Sequence, residues 1–315
     1  MLRTSAVKSC FLGVLGLLLS VAPLFAQPKD KKPPVRTMTI PISIFTKKEL
    51  KEGQASEFVQ ADRLIVKEDG DEQEILSIRS INESPLSVAF LIQDDLASDF
   101  NLKLKEIADF IRGMPKGTKV MVAYARGSTI QIVQRFTDDT GKAASTLHLV
   151  APSGMSNQDP YNSVQDILGK FDALPAGRHA LVVFSDGLDT SQGTSLLSTV
   201  RTFDLDQAIT KAQKKGIAVY SIYSPSVATL NNSSLTAGGQ AALERLSSET
   251  GGRSLTQLNG ATSFLPFFRD LGLSLGRQFS LTFMSTHMKK GFHNLSVTST
   301  NPDVKVEHPK GYYYR

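Results

Sequence analysis

The stretch SVAFLIQDDLAS (Ser87–Ser98) joins an apolar run to a polar end. The run follows the turn residues Ser84 and Pro85, and a run bounded in this way is typical of a strand buried on both faces. It ends in two carboxylates and a serine. Because ligands of parallel α/β sheets bind at the carboxyl ends of the strands, this stretch predicts a functional site.

A second stretch, ALVVFSDG (Ala180–Gly187), has the same organisation and ends in Asp186. The carboxyl ends of parallel strands lie at one edge of a sheet, so the two stretches bring aspartates to the same edge. Carboxylate and hydroxyl oxygens are ligands for hard divalent cations such as Mg²⁺. Together the two stretches predict a carboxylate-plus-hydroxyl metal site.

The composition indicates a globular protein. Of the 315 residues, 41% are hydrophobic and 21% charged, which is enough for one large domain or two smaller ones. The formal charge is +5, but the basic residues are scattered along the chain. A nucleic-acid binder usually concentrates them on one face, so no nucleic-acid partner is predicted.

Residues 1–26 have the three-part form of a secretory signal peptide. A basic start at Arg3 and Lys8 precedes an apolar run too short to span a bilayer comfortably, and Ala26 is a small residue suited to cleavage. We therefore expect a secreted or periplasmic protein with no membrane span after cleavage; an uncleaved anchor is the alternative. The single cysteine, Cys10, lies in this segment, so the mature chain has no disulfide or thiolate metal site.

The periodicity of the chain changes twice. Strands with antiparallel character, including a hairpin with an Asp69-Gly70 turn, come first, strands alternating with helices follow, and strands return near the end. We predict an α/β fold with a mostly parallel central sheet flanked by helices, plus a small antiparallel β unit formed from the N- and C-terminal strands. The predicted boundaries are a signal peptide at 1–26, a linker at 27–36, strands of a small sandwich at 37–83, the α/β domain at 84–276 and the completing strands at 277–315.

The order of these motifs resembles the von Willebrand factor A (VWFA, or VWA) domain, a Rossmann-like fold. The matching features are the apolar strand into Asp94, a hairpin-like second and third strand, and the end of the fourth strand at Asp186. The flanking segments at Val66–Ile75 and Gly291–Tyr313 resemble, more closely, the secreted bacterial VWFA-related proteins first noted in acidobacteria. The resemblance covers about Val35 to Tyr314.

The resemblance implies a metal-ion-dependent adhesion site (MIDAS), for which the family pattern is Asp-x-Ser-x-Ser. Here Asp94, Ser98 and Asp186 match, whereas Leu96 replaces the first serine and offers no oxygen. The implied cofactor is Mg²⁺, held in a degenerate site. Further candidate ligands stand nearby or near the family's loop threonine, namely Asp95, Gln158 and Asp159. Alternatively, Asp94 and Asp186 cap helices and hold loop amides.

No nucleophile elbow or phosphate loop is present, and the five histidines are well separated in sequence. His293 falls inside a terminal strand and is predicted to be structural. The resemblance implies a non-enzymatic protein-binding module for adhesion or scaffolding, whose partner supplies an acidic side chain to the metal. The alternatives are an envelope scaffold that uses the same surface without metal, and a metal-dependent hydrolase.

Overall fold

A computed structural model describes residues 35–46, 64–79, 85–152, 158–175, 177–191, 202–257 and 262–314. The predicted signal peptide and most of the linker lie outside these residues. Within the described residues, none of the helices combines the length and the apolar character needed to cross a bilayer.

Thirteen strands and seven α-helices lie in the described part of the chain. The strands are β1 (Arg36–Thr46), β2 (Leu64–Glu68), β3 (Asp71–Arg79), β4 (Leu86–Gln93), β5 (Lys119–Arg126), β6 (Thr129–Thr137), β7 (Arg178–Ser185), β8 (Ile217–Tyr223), β9 (Ser254–Leu255), β10 (Gln278–Ser285), β11 (Gly291–Ser299), β12 (Val304–Glu307) and β13 (Gly311–Tyr314). The helices are α1 (Leu104–Arg112), α2 (Thr140–Ser145), α3 (Pro160–Lys170), α4 (Phe203–Lys215), α5 (Val227–Leu230), α6 (Ser233–Thr250) and α7 (Leu265–Gly276). Two 3₁₀ segments, Ser98–Lys103 and Phe171–Ala173, complete the elements.

Six strands form a mixed sheet in the order β6-β5-β4-β7-β8-β9. All neighbouring pairs are parallel except β5 and β6, which form an antiparallel hairpin at one edge. Helices connect the parallel strands, as right-handed crossover connections require. This is the mostly parallel sheet that the sequence predicts.

The two decisive stretches form the central strands β4 and β7. Successive residues of a strand point to opposite faces, so Phe90 and Phe184 enter one apolar core while Leu91 and Val183 enter the other. Burial of each of these side chains contributes about 1.5–3 kcal/mol. Because helices cover both faces, the strands need a continuous apolar sequence rather than an alternating one.

The remaining strands form one seven-stranded antiparallel sheet in the order β12-β1-β10-β3-β2-β11-β13. N- and C-terminal strands pair directly, with Ile40 of β1 opposite Leu281 of β10. The predicted association of the two chain ends is therefore confirmed, but the predicted small size of the unit is wrong. Strands β12 and β13 lengthen the sheet at opposite edges, which local periodicity does not reveal because it leaves pairing open.

The hairpin between β2 and β3 turns at the predicted residues. Glu68 pairs with Asp71, so the loop contains only Asp69 and Gly70, whose φ angles are 51° and 99°. Positive φ at both central residues is the requirement of a type I′ turn, for which Asp-Gly is a preferred sequence. This turn holds Asp69 in a fixed position at the end of the sheet.

The loop after β7 touches helix α6 through two glycines. A Cβ atom on Gly187, whose φ is +72°, would lie 2.3 Å from the carbonyl oxygen of Gly239. A Cβ atom on Gly239 would lie 1.9 Å from the carbonyl oxygen of Asp186. Both positions therefore need glycine, and their contact fixes Asp186 against α6.

Replacing Gly239 by alanine should separate this loop from the helix. We expect Gly239→Ala to lower the free energy of unfolding by about 1–3 kcal/mol, the usual cost of overpacking. Gly276→Ala is the matched control, since an added Cβ there meets no atom within 4 Å. Urea denaturation measures both, and equal stability of the two variants would contradict the close packing described here.

Candidate functional site

The candidate site lies where β4 and β7 end. After Gln93 the chain turns through Asp94 and Asp95, and Leu96 forms an isolated bridge with Ser226 from the connection after β8. The Leu96 side chain is fully buried. The residue that departs from the MIDAS pattern therefore serves as core packing at the edge of the site.

The side-chain amide of Gln93 links the two strand ends. Its Oε1 accepts hydrogen bonds from Ser185 Oγ at 2.5 Å and from the backbone N–H of Asp186 at 3.1 Å. Its Nε2 donates to Asp95 Oδ1 at 2.7 Å. Gln93 is 2% exposed, so this one buried amide satisfies polar groups from both strands.

Asp186 is buried beside this network. Its Oδ1 accepts a hydrogen bond from the backbone N–H of Leu188 at 3.0 Å, which is the loop-holding role that the alternative interpretation gave it. Burial, and to a smaller extent the charge of Asp95, raises the pKa of Asp186 to about 6. Burial also raises the pKa of Asp95, although the hydrogen bond from Gln93 opposes the shift. Both carboxylates are costly to ionise in this position.

The other two predicted metal ligands have different surroundings. Asp94 Oδ2 lies 3.6 Å from Arg126 Nε, and its backbone N–H donates to the carbonyl of Ala125. Ser98 is exposed at the first residue of a 3₁₀ segment. Hydrogen bonds thus connect Asp186 with Asp95 through Gln93. Asp94 lies outside this network, beside the guanidinium group of Arg126. The role of Asp94, Ser98 and Asp186 as joint metal ligands stays a prediction.

Gln158 and Asp159 lie in a second polar region, where two loops meet. The N–H of Gln158 donates to Thr190 Oγ1 at 2.9 Å, and the N–H of Thr190 donates to the carbonyl of Gln158 at 2.8 Å. Asp159 caps α3 by accepting the N–H of Asn162 at 2.9 Å. These bonds join the loop before α3 to the loop after β7.

Three aspartates converge in this region. Asp159, Asp189 and Asp204 each offer a carboxylate oxygen, and these oxygens lie within 4.8 Å of one another. We call this set the aspartate cluster. Burial, followed by the charges of the other two aspartates, raises the pKa of Asp159 to about 6. An all-oxygen donor set of this kind suits a hard cation such as Mg²⁺ or Ca²⁺.

Asp189 has an open ligand position. Its Oδ1 accepts hydrogen bonds from the N–H and hydroxyl of Ser191, at 2.9 and 2.5 Å. Its Oδ2 is buried without a hydrogen-bond partner, in a residue only 1% exposed. An unsatisfied buried oxygen is expensive, and a cation would remove that cost.

Tyr161 connects the aspartate cluster with the strand ends. Its hydroxyl donates to the carbonyl of Gly187 at 2.6 Å. Burial, and then the charges of Asp186 and Asp189, raises the pKa of Tyr161 well above its ordinary value. The phenol therefore stays protonated and acts only as a donor that holds the loop after β7.

Apolar side chains are also exposed in the segments that follow the strands of this sheet. Of eleven large hydrophobic residues exposed in the described part of the chain, six lie in the connections at the carboxyl edge of the sheet. They are Leu102, Leu149, Phe203, Val227, Leu230 and Leu265. Val227 and Leu230, both on the short helix α5, are 58% and 52% exposed. These exposed side chains are available to contact a partner.

Sequence reasoning missed Gln93 and Asp204, and it did not include Asp189 among the candidate ligands. A signal for Asp189 was present, because it follows Asp186 by three residues in the same loop. Gln93 immediately precedes the predicted aspartates, but nothing in a single sequence shows that its amide reaches β7. Asp204 lies at the start of α4, where an acidic residue is also expected simply to complement the helix dipole.

The buried carboxylate of Asp186 should make stability depend on pH. Its raised pKa means that the folded protein holds a proton between about pH 4 and 6 that the unfolded chain releases. In metal-free buffer the free energy of unfolding should therefore fall as pH rises through this window. Asp186→Asn, which keeps an acceptor for Leu188, should reduce the fall and add about 1–3 kcal/mol at pH 7.

Chemical denaturation across pH 4–8 measures the effect. Asp139→Asn, a change at an exposed helix cap, is the matched control. A pH profile of Asp186→Asn that coincides with that of the unmodified protein would contradict the burial of this charge.

No protein-family model and no curated protein matches the chain. Solved structures similar to it include an aerotolerance-related membrane protein from Bacteroides fragilis, at 14% identity over 60% of this chain and 98% of that one, with a TM-score of 0.44. The SpRpn10 VWA domain has 15% identity over 56% of this chain and 92% of that one, with a TM-score of 0.37. Proximal thread matrix protein 1 from the mussel byssus, with a zinc-occupied MIDAS motif, has 12% identity over 65% of this chain and 48% of that one, with a TM-score of 0.41. These similarities concern the fold alone.

Proposed function

We propose that this chain is an extracytoplasmic, non-enzymatic protein-binding module whose partner docks at the carboxyl edge of the six-stranded sheet. The observation that carries the proposal is that exposed apolar side chains occur in several of the segments that follow the strands of this sheet, the segments in which the buried carboxylates also lie. Protein interfaces combine an apolar centre with a small number of oriented polar groups. The proposed extracytoplasmic localisation rests on the signal-like segment at 1–26.

The polar groups at the strand ends support a binding role over a hydrolytic one. The Ser185 hydroxyl donates to the amide oxygen of Gln93, which is too weak a base to activate a nucleophile. The Gln93 amide also donates a hydrogen bond to Asp95, so the polar groups of Ser185, Gln93 and Asp95 satisfy one another. Because the hydroxyl and amide groups at the strand ends are engaged with one another, the alternative of a metal-dependent hydrolase has the weaker support.

The MIDAS implied by the resemblance is degenerate in this chain. Leu96 supplies no oxygen, Asp94 lies beside Arg126, and Ser98 is exposed. A partner can therefore use this part of the edge without metal, as in the alternative of a metal-independent scaffold. The aspartate cluster has the better donor set, and we assign Mg²⁺ binding there. Its open Asp189 position would gain from a cation that an acidic partner side chain also binds.

Site-specific photo-crosslinking in the native host tests the docking edge. A photoreactive residue at Leu230 or Leu149 should give an adduct with the same partner protein, whereas Leu76 on β3, 47% exposed, is the control position. Leu230→Asp should weaken partner binding by about tenfold or more, as expected for an apolar contact near the centre of an interface. Adducts at Leu76 but none at the edge positions would refute the proposed surface.

Calorimetric titration of Mg²⁺ into the purified protein distinguishes the two candidate metal positions. Asp159→Asn removes one charged ligand but keeps a good helix cap, so Mg²⁺ affinity should fall by about tenfold or more. Asp94→Asn is the matched control and should leave the affinity unchanged. If Asp94→Asn abolishes binding and Asp159→Asn does not, the ion belongs to the set Asp94, Ser98 and Asp186.

A further inference from the structure

A second group of metal-binding side chains lies in the antiparallel sheet, away from the residues of the proposed docking edge. The β2–β3 hairpin contributes Glu68 at the end of β2, followed by Asp69 in the turn. His287 lies in the connection between β10 and β11, and His293 lies on β11. The histidines that are separated in the sequence thus meet, with ring centroids 6.0 Å apart.

We propose that Glu68, His287 and His293, together with Asp69, form a binding site for a transition metal of the zinc class. One ligand atom from each of Glu68, His287 and His293 lies within 4.8 Å of the others. Two imidazoles with carboxylates are a common ligand set for Zn²⁺. Imidazole also selects zinc, copper, nickel or iron over Mg²⁺ and Ca²⁺, which prefer oxygen alone.

Asp69 stands between the two rings. Its Oδ2 lies 2.8 Å from His293 Nδ1 and 3.2 Å from His287 Nδ1. His293 Nδ1 is in turn 3.5 Å from Glu68 Oε1. Ligand atoms about 2.0 Å from a tetrahedral ion are separated by about 3.3 Å, so small movements would let one ion contact all of these atoms.

The opposite ring nitrogens have partners suited to orienting metal ligands. His293 Nε2 lies 2.7 Å from the carbonyl oxygen of Lys289, and His287 Nε2 lies 3.0 Å from Asp71 Oδ2. A proton on each Nε2 would satisfy these acceptors and leave both Nδ1 lone pairs directed toward Asp69. Carbonyl and carboxylate partners on the far nitrogen are the usual outer contacts of metal-bound histidine.

Every ring nitrogen of this pair faces an oxygen that can only accept a hydrogen bond. Without an ion, satisfying all four contacts requires two positively charged imidazoles side by side. An ion bonded to both Nδ1 atoms and to the carboxylates satisfies the same contacts with neutral rings. A divalent ion is thus one way to satisfy these contacts, and protonated rings paired with the carboxylates are the other.

Buried Glu68 supplies independent support. It is fully buried, and its Oε2 has no hydrogen-bond partner. Its other oxygen, Oε1, accepts a hydrogen bond from Tyr312 and lies 3.5 Å from Arg36 Nη2. The tyrosine and arginine thus fix the carboxylate whose Oε1 lies near His293, and the second oxygen, Oε2, keeps an unmet capacity to accept.

Neighbouring residues fix the two loops that carry the ligands. Asp69 Oδ1 accepts the backbone N–H of Asn294 at 2.8 Å, which ties the hairpin turn to β11. Gln73 Oε1 accepts the N–H of Thr286 at 3.0 Å, which places the residue before His287 against β3. Ligands on loops held in place in this way lose little entropy when an ion binds.

An ion here would join the β2–β3 turn to the β10–β11 connection and stabilise the antiparallel sheet. This role does not depend on the docking edge, on its partner or on the aspartate cluster. At a Zn²⁺ concentration 100 times its Kd, Tm should rise by about 5–10 °C.

The test uses purified protein stripped with EDTA and then titrated with Zn²⁺ or Co²⁺ in excess Mg²⁺, which saturates the aspartate cluster. We expect one Zn²⁺ per chain by equilibrium dialysis, visible Co²⁺ absorption of a four-coordinate site, and the Tm increase. His287→Gln should weaken Zn²⁺ binding by about tenfold or more while the protein stays folded, since this side chain is only partly buried. Asp71→Asn, at a 77% exposed side chain, should weaken it to a lesser extent.

Two controls give the result its meaning. His148→Gln changes an exposed histidine and Asp159→Asn changes the aspartate cluster, and both should bind Zn²⁺ as the unmodified protein does. The absence of bound Zn²⁺ would overturn the proposal, and so would equal Zn²⁺ affinity in His287→Gln and His148→Gln. Nitrogen NMR showing both ring nitrogens of His287 and His293 protonated in the presence of Zn²⁺ would also overturn it.

Discussion

The hydrogen-bonded amide of Gln93 is the interaction on which the carboxyl edge of the sheet depends. It lies between the two central strands and satisfies Ser185, Asp95 and the amide of Asp186 at once. A buried polar end of a strand must find partners, and at this position a protein amide supplies them. Asp186 is thereby held inward and Asp94 stays outside the network, beside Arg126. The edge is therefore ordered by protein groups at the point where the resemblance implies a metal.

In both sheets the possible metal ligands lie where connections between strands converge, but the two sheets bring different types of ligand together. At the carboxyl edge, chain turns after parallel strands bring carboxylates together, and the aspartate cluster contains oxygen donors alone. In the antiparallel sheet, a tight hairpin turn and the connection between β10 and β11 meet at one end, which adds imidazoles to carboxylates. Hard cations prefer the first set and zinc-class ions the second. Each set forms where connections converge, because the backbone polar groups inside the strands are already hydrogen-bonded to neighbouring strands.

The sequence allowed the strands to be predicted better than their contacts. β4 and β7 followed from long apolar runs, and the β2–β3 turn from Asp-Gly, because both signals are local. The role of Gln93 depends on a register that sets Ile92 opposite Phe184, so it exists only after the sheet has formed. The proposed zinc-class site brings together Glu68 and His293, which are more than 200 positions apart, and the spacing of residues along the chain does not predict such a contact. The same limit explains why the antiparallel sheet is larger than predicted.

The energetics of the carboxyl edge argue for a retained binding role even though the MIDAS pattern is incomplete. The pKa of Asp186 is raised to about 6 by burial, so its ionised form destabilises the fold at neutral pH. The unpartnered oxygen of Asp189 adds a further cost in the same loop. Apolar side chains of similar volume in place of these two aspartates would avoid both costs. Carboxylates whose pKa is shifted in this way are concentrated at functional sites. A ligand or cation that engages these oxygens would recover this free energy on binding, which is why the proposed function is assigned to the edge as a whole rather than to any single residue of the MIDAS pattern.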